Sequence, residues 1–366
     1  LTKSFIDRRA SILARGLKQD MTFNTKIIED DKVIINSQFI GKLKGLKLEL
    51  DLKVDTLDTD IKSLKKTARQ SIGPELNKRI EEIVNSSSLE IKDDFKIYWK
   101  KFPIAKLLPG KDYLDPELSL IIDDIVEINE RKKIQEYLEK WLKEKINYIL
   151  KSLIDLRSLK ESNSSIRALS YQLYENNGVL KRDKVSEYLK KLGQDERKIL
   201  RNLGVKFGRY HVFLFKLLKP EAVSLRILLW KNYHQKSFNL KPPTFGLNFL
   251  ENKDFKNKNF MLLCGFENFD KYFVRIDILE RLFMQIINTN PDSKSKIKLV
   301  PEMLNLLGCS KSNFLKLIQE MNYTIFEENN EFYFKYTPIK EKVKKFINKS
   351  QKADNPFNIL KNINFK

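Results

Sequence analysis

"VSEYLKKLG" (Val185–Gly193) and "VPEMLNLLG" (Val300–Gly308) carry one pattern, V-x-E-x-L-x-x-L-G, at an offset of 115 residues. Their surroundings match as well. An amphipathic stretch precedes each copy, "IRALSYQLYENN" from Ile166 and "RIDILERLFMQIIN" from Arg275. After each closing Gly comes a polar turn and then a third helical stretch, "DERKILRNL" from Asp195 and "KSNFLKLIQEM" from Lys311. A strand-like pair follows in both. In the first copy it is "GVKFGRYHVFL" (Gly204–Leu214), where Gly208-Arg209 suits a two-residue turn with Gly at its first central position. In the second it is "YTIFEENNEFYFKY" (Tyr323–Tyr336), with "EENNE" as the loop. Three helices and a hairpin in this order describe a winged helix, and the short Gly-containing link between helices two and three is the helix-turn-helix signature. A generic helical bundle with hairpins is the competing reading.

Upstream lies a second, fainter repeat. "VIINSQFIGKLKG" (Val33–Gly45) and "FKIYWKKFPIAKLLPG" (Phe95–Gly110) share Ile-[Gly/Ala]-Lys-Leu at an offset of 64. Each reads as a small β-hairpin followed by a helix. The first helix is expected over about Thr59–Val84, with a break at Gly73–Glu75 where Pro74 interrupts the ladder. The second is expected over about Asp115–Leu150, with Ile134, Leu138, Trp141, Leu142, Ile146 and Ile149 on one face. The polar run Leu159–Arg167 reads as a linker, with Ser164 or Ser165 capping the next helix. Pro220 opens a further helix in which Val223, Ile227 and Trp230 share a face.

The expected fold class is therefore α+β, mostly α. It comprises a duplicated hairpin-plus-helix region (1–158), a first winged-helix-like module with its following helix (159–238), a connecting loop and strands (239–274), a second winged-helix-like module (275–337) and a basic flexible tail (338–366).

The chain has 366 residues, 42% of them apolar, and a formal net charge of +21. It is long enough for a substantial core. No apolar run spans a membrane: the best, Val212–Trp230, is interrupted by Lys216, Lys219, Glu221 and Arg226. The N-terminal stretch lacks the apolar core and cleavage site of a signal peptide. Two cysteines without C-x-x-C spacing and two histidines leave no four-ligand metal site, and two reduced thiols fit a cytoplasmic protein better than a disulfide.

The positive charge points to a polyanionic partner. A general richness in Lys dilutes that signal, so Arg is the sharper witness. Five of the 15 arginines fall between Arg182 and Arg226, and Lys181–Lys236 holds 15 basic residues against five acidic ones. Candidate phosphate contacts are Arg197, Lys198 and Arg201 on the third helix, Lys206 and Arg209 on the wing, and Lys216, Lys219 and Arg226 beyond it. Tyr210 and His211 are candidates for stacking on an unpaired base; packing onto helices one and three is the alternative for both. The second module has Lys311 and Lys316 on helix three but an acidic wing (Glu327, Glu328, Glu331). That wing would repel phosphate and suits protein docking.

No catalytic constellation emerges. "PGKDY" (Pro109–Tyr113) and "IGKL" (Ile40–Leu43) lack the first Gly and the hydroxyl residue of a P-loop. There is no G-x-G-x-x-G and no G-x-S-x-G. Paired acids such as Asp123-Asp124 read as solvated caps and turns, and Asp277 with Arg281 as a surface ion pair.

Several segments, taken together, resemble a known family. "FIDRRASILARGLKQD", "PIAKLLPGKDYLDPELSLIIDD", "IRALSYQLYENNGVLKR", "LGVKFGRYHVFLFKLLKPEAVSLRILLW" and "LLGCSKSNFLKLIQEMNY" are similar, in order, to the long C-terminal region of bacterial superfamily-two helicases of the mitochondrial degradosome RNA helicase type. The similarity runs from about Phe5 to Tyr323, and Gly204–Trp230 is its most specific part. It implies an accessory region that follows an ATP-driven motor of two RecA-like domains, which uses ATP and magnesium to move along RNA or DNA. The motor has no counterpart positions here. No residue is assigned a catalytic role, and no cofactor is expected within this chain. The expected partners are RNA or single-stranded DNA, with a helicase motor polypeptide or a nuclease as possible protein partners and no membrane. A docking scaffold, or a split-gene remnant without activity, is the competing class.

Overall fold

The computed structural model describes residues 25–28, 31–35, 38–50, 71–86, 88–161, 163–235, 240–252, 258–289 and 296–337. The N-terminal segment, the first half of the first expected helix and the basic tail lie outside the described residues. The fold is α+β, a succession of helices and small antiparallel sheets. The described residues form two compact units. One runs to Phe245 and takes in Leu262–Gly265; the other holds Gly246–Met261 and the residues from Phe266 onward.

The first unit opens with two four-stranded meanders rather than two hairpins. β1 (Thr25–Ile28), β2 (Lys32–Ile35), β3 (Gln38–Lys44) and β4 (Lys47–Leu50) pair in sequence order, as do β5 (Leu89–Ile91), β6 (Lys96–Trp99), β7 (Phe102–Asp112) and β8 (Asp115–Leu120). The offset of 64 recurs in the hydrogen-bond register. Lys32 faces Lys42 and Val33 faces Gly41; the pairing then slips, and Ile34 faces Phe39. In the second sheet Lys96 faces Lys106, Ile97 faces Ala105 and, after the same slip, Tyr98 faces Pro103. Asp31 and Phe95, also 64 apart, both hold positive φ, 58° and 61°. A slip at the same site in both copies is a bulge built into the repeated unit.

The second expected helix starts later than its periodicity indicated. Residues 115–120 form β8, with Asp115, Glu117 and Ser119 exposed and Pro116, Leu118 and Leu120 half-buried. That alternation is the period of a strand with one wet face. α1 (Gly73–Val84) follows the first sheet, with Pro74 in its opening turn, and α2 (Ile128–Ile149) follows the second, burying Ile134, Leu138, Leu142 and Ile146. Arg79 of α1 is buried and fastens the first sheet. Its Nη2 lies 2.9 Å from Asp31 Oδ1, and its Nη1 donates to the carbonyls of Leu43 and Gly45. Asp123, expected in solvent, is buried as well; its backbone N–H donates to Leu46 O and its Oδ2 accepts from Leu48 N. The Leu48 N–H offsets part of the cost of burying this carboxylate.

A helical turn, Lys151–Ile154, and a 3-10 segment, Asp155–Glu161, lead into the first module. It consists of α3 (Ser164–Glu175), β9 (Val179–Lys181), α4 (Ser186–Lys191), α5 (Gln194–Asn202), β10 (Val205–Phe207) and β11 (His211–Leu214), with sheet order β10-β11-β9. The first strand thus pairs with the last, as a winged helix requires. The cap of α3 is Asn163, whose side-chain oxygen accepts from Ser165 N, one residue before the serines expected there. Leu169, Leu173, Leu189, Leu200, Val205, Val212 and Leu214 fill the core. A 3-10 turn, Phe215–Leu218, then leads to α6 (Pro220–His234). Ala222, Val223, Leu225, Arg226, Ile227, Leu228 and Leu229 are all buried, so α6 is enclosed nearly all round rather than along one face. The tip of the β7–β8 hairpin packs on this module: Tyr174 donates to Asp112 Oδ2 at 2.6 Å, and Arg157 Nη1 lies 3.3 Å from the same oxygen.

The sequence continues with β12 (Phe249–Glu251), α7 (Lys258–Leu263), β13 (Phe266–Asn268) and β14 (Tyr272–Arg275); the three strands belong to the second unit, with sheet order β12-β14-β13, while Leu262 and Leu263 at the end of α7 belong to the first. These residues were expected to connect two modules; they hold a third sheet of the winged-helix order. Val205 faces Leu214 and Phe207 faces Val212 in the first module, and 61 residues on Phe266 faces Arg275 and Asn268 faces Phe273. The turn bonds correspond too, Gly208 N to His211 O at 2.8 Å and Phe269 N to Tyr272 O at 2.7 Å. α8 (Ile276–Thr289), β15 (Ile297–Lys298), α9 (Pro301–Leu307), α10 (Lys311–Glu320), β16 (Tyr323–Glu328) and β17 (Glu331–Tyr336) complete the last module, with sheet order β15-β17-β16. Ser310 caps α10 through Asn313 N at 3.2 Å, and Phe314 and Phe334 meet edge-on in the core.

Gly178 sets how tightly the first module closes. It sits at φ 81°, and a Cβ there would lie 2.4 Å from Leu217 Cδ1. Left-handed backbone and overpacking each disfavour a side chain. Gly178→Ala is expected to lower unfolding free energy by about 2 kcal/mol or more, measured by urea denaturation; an unchanged midpoint would contradict this account of the turn.

Candidate nucleic-acid interface

The first module brings most of the expected cations to α5 and the wing. Arg197 and Arg201 stand one helical turn apart on α5, and their guanidinium carbons lie 5.9 Å and 5.7 Å from the ring centre of Phe207 on β10. Lys198 and Arg201 are exposed on the helix, and Lys206 and Arg209 are exposed on the wing, Arg209 at its tip. Lys216 and Lys219 are exposed on and just after the 3-10 turn. Among the described residues, Lys198, Arg201, Lys206, Lys216 and Lys219 make no ion pair with a carboxylate. Arg197 is half-buried and has a second task. Its Nη2 donates to Leu189 O at 2.7 Å and its Nε to Leu192 O at 3.2 Å, so it caps the end of α4, where a cation is favoured.

Three expectations change. His211 is 1% exposed, paired across strands with Lys181, and cannot stack on a base from solvent. It stands on β11, whose four residues are all buried. Tyr210 is half-buried and already engaged. Arg226 is 0% exposed and cannot contact phosphate. Its Nη2 donates to Leu217 O at 2.8 Å and Leu263 O at 3.2 Å, and its Nη1 donates to Asn177 O. Burial lowers its pKa to about 10, which leaves it a cation at neutral pH. The turn also differs from expectation. Gly208 is not among the residues at positive φ, so the wing does not use the Gly-first tight turn. Instead Arg182 N donates to Tyr210 O at 2.9 Å and Arg182 Nη1 to Gly208 O at 2.5 Å, holding the wing from outside. Sequence reasoning missed that role. Arg182 belongs to the arginine cluster, but no pattern in the chain marks its partner.

Corresponding positions in the other sheets carry different charge. Lys206 and Arg209 become Glu267, which is buried, and Asp270 in the second sheet. In the last module Lys296 pairs with Glu328 and Lys298 with Glu331, which neutralises the wing internally. Lys311 Nζ lies 4.0 Å above Phe332. Asp277 binds Arg275 through two bonds, 2.7 Å and 2.8 Å, rather than Arg281. Among the described residues, the first wing and its helix carry the cluster of exposed cations without a carboxylate partner, whereas the second wing sets Lys271 beside Asp270 and the last wing pairs two of its lysines.

Other chemistry is sparse. A groove of about 1030 Å³ between the β7–β8 hairpin and α2 is lined by alternating signs, among them Lys111, Asp112, Glu136, Glu139, Lys140 and Lys143. Neither sign dominates there. Both cysteines are free thiols; Cys264 is buried and burial pushes its pKa up to about 12. Among the described residues no group of three or more His, Cys, Asp and Glu side chains could hold a metal ion, and no helix is long and apolar enough to cross a membrane.

Arg226 therefore acts on the interface from beneath. Arg226→Met would leave three carbonyls without their donor, at about 1–3 kcal/mol for each buried group. The expected loss is about 3 kcal/mol or more in urea unfolding. Arg226→Lys should not restore it, because an ammonium cannot reproduce the planar fork. Full recovery by Lys would refute this role. Comparison of the chain with protein-family models, with curated proteins and with solved structures finds no match.

Proposed function

We propose that the chain binds a nucleic-acid backbone, RNA or single-stranded DNA, through the first winged-helix module, and that it serves as an accessory region to an ATP-dependent helicase motor. The observation that carries this reading is the exposed set Lys198, Arg201 and Lys206 on α5 and the wing, which no carboxylate among the described residues neutralises. Clustered cations repel one another, so a fold that keeps them unpaired gains from a polyanion. The resemblance to the C-terminal regions of degradosome-type helicases supplies the motor half of the proposal. ATP and magnesium would act in that motor, and this chain would contribute affinity and placement on the strand.

A second reading concerns the remaining modules. One wing sets Asp270 beside Lys271 and the other pairs lysines with Glu328 and Glu331, and this charge balance fits contact with protein rather than phosphate. The helicase motor or a nuclease would be the docking partner, and the two readings are compatible within one chain.

Binding of single strands should weaken steeply with salt. Each phosphate contact removed should reduce the slope of log K against log salt by about 0.7. Arg201→Ala and Lys206→Ala are expected to reduce it by that amount each. Glu331→Ala should leave it unchanged. Titrations at several salt concentrations check this, and a slope indifferent to Arg201 and Lys206 would remove the interface from the first module.

A further inference from the structure

We propose that Phe215 is a stacking residue for an unpaired nucleobase and that Lys216 and Lys219 hold the flanking phosphates; this rests on the reading of the first module as a nucleic-acid interface. The wing aromatics cannot serve in this way. His211 is buried, Tyr210 is engaged, and the ring of Phe207 is taken by two guanidinium groups. Phe215 is 46% exposed. Its ring meets no other ring or cation among the described residues. The position that follows the corresponding strand of the second sheet is Ile276, which is 0% exposed. In one copy this site feeds the core, and in the other an exposed large aromatic opens a turn that also carries the exposed Lys216 and leads into the exposed Lys219.

The turn that carries Phe215 is held rigidly. Leu214 and Leu217, on either side of it, are both 0% exposed. Leu217 O accepts from the buried Arg226, and Leu217 Cδ1 closes over Gly178. Lys219 N returns to Lys216 O at 3.4 Å, which closes the backbone of the turn between the two lysines. A base stacking on a pre-ordered aromatic beside phosphate-binding cations is how sequence-tolerant single-strand sites are built. A duplex, with its bases already stacked on one another, would offer Phe215 no face.

Phe215→Trp adds a reporter at the surface of a protein whose own tryptophans are Trp99, Trp141 and Trp230. Its added emission should be quenched by single-stranded oligouridylate and by oligodeoxythymidylate, and much less by a blunt duplex with the same number of phosphates. Phe215→Ala should weaken single-strand binding roughly five- to thirtyfold and leave the salt slope unchanged. Lys216→Ala should instead reduce the slope. Equal quenching by single strand and duplex, or no loss of affinity in Phe215→Ala, overturns the proposal. If Arg201→Ala still weakens binding in that case, the interface stands without its stacking residue; if neither variant weakens it, both readings fall.

Discussion

A guanidinium enclosed without any carboxylate holds the first module to its surroundings. Arg226 reaches three carbonyls from three separate stretches: the turn after α3 at Asn177, the 3-10 turn at Leu217 and the end of α7 at Leu263. Removing a full charge from water is costly unless dipoles replace the water. Carbonyl oxygens do so here, and the planar fork can serve several at once. Its Nε finds no acceptor among the described residues, so the cage is not complete. The rest of the interface depends on this anchor. Without it neither the turn bearing Phe215 and Lys216 nor the start of α6 would have a fixed place against the wing sheet.

Around that anchor the chain reuses one arrangement and varies its charge. Three sheets share a topology, and two of them share a register at an offset of 61 residues. The backbone bonds are indifferent to what the outer side chains carry. Arg209 can therefore become Asp270 without disturbing the turn beneath it, because the turn is closed by main-chain groups in both copies. Fold and binding are separable on such a frame, and function follows the side chains added to it. The same logic applies upstream, where two meanders keep a bulge at the same site while the second lengthens β7 and sends its tip toward α3.

What could be read from the sequence follows from which forces are local. The V-x-E-x-L-x-x-L-G pattern exposes two modules because helix periodicity and a closing Gly leave a mark at fixed spacing. Ile-[Gly/Ala]-Lys-Leu exposes the meander repeat, because the strand around Lys42 and Lys106 keeps both its buried and its outward positions. The third sheet is legible only as strands in a connection, because its copy retains the topology but few residues; Gly204 and Gly265 are what remains, both at positive φ. β8 was hidden by its own polarity, since Asp115, Glu117 and Ser119 read as an amphipathic helix start until their pairing with β7 is seen. The errors at His211 and Arg226 have a different origin. A charge or a ring in the sequence has no address, and only tertiary packing decides whether it faces solvent or a ring of carbonyls.

The distribution of arginine roles then explains how a cluster so positive can fold. Five arginines within 45 residues would repel one another if all stood in solvent. The structure withdraws three of them: Arg226 into the core, Arg182 onto the wing carbonyl at Gly208, and Arg197 onto the carbonyls that end α4. Each donates to backbone oxygen, which neutralises nothing formally but disperses the charge over carbonyl dipoles. Arg201, at the surface, rests on Phe207, which lowers the entropy it would lose on meeting a phosphate. Three of the five arginines are thus spent on shape, and Lys198, Lys206, Lys216 and Lys219 are left exposed on a packed support. On the proposed function, such a surface would recognise charge density and strand flexibility rather than base sequence, because lysine ammonium groups fix no planar hydrogen-bond pattern. The accessory role proposed for this chain would be served by that combination, whereas a sequence reader would need more arginine forks at the surface than Arg201 and Arg209 supply.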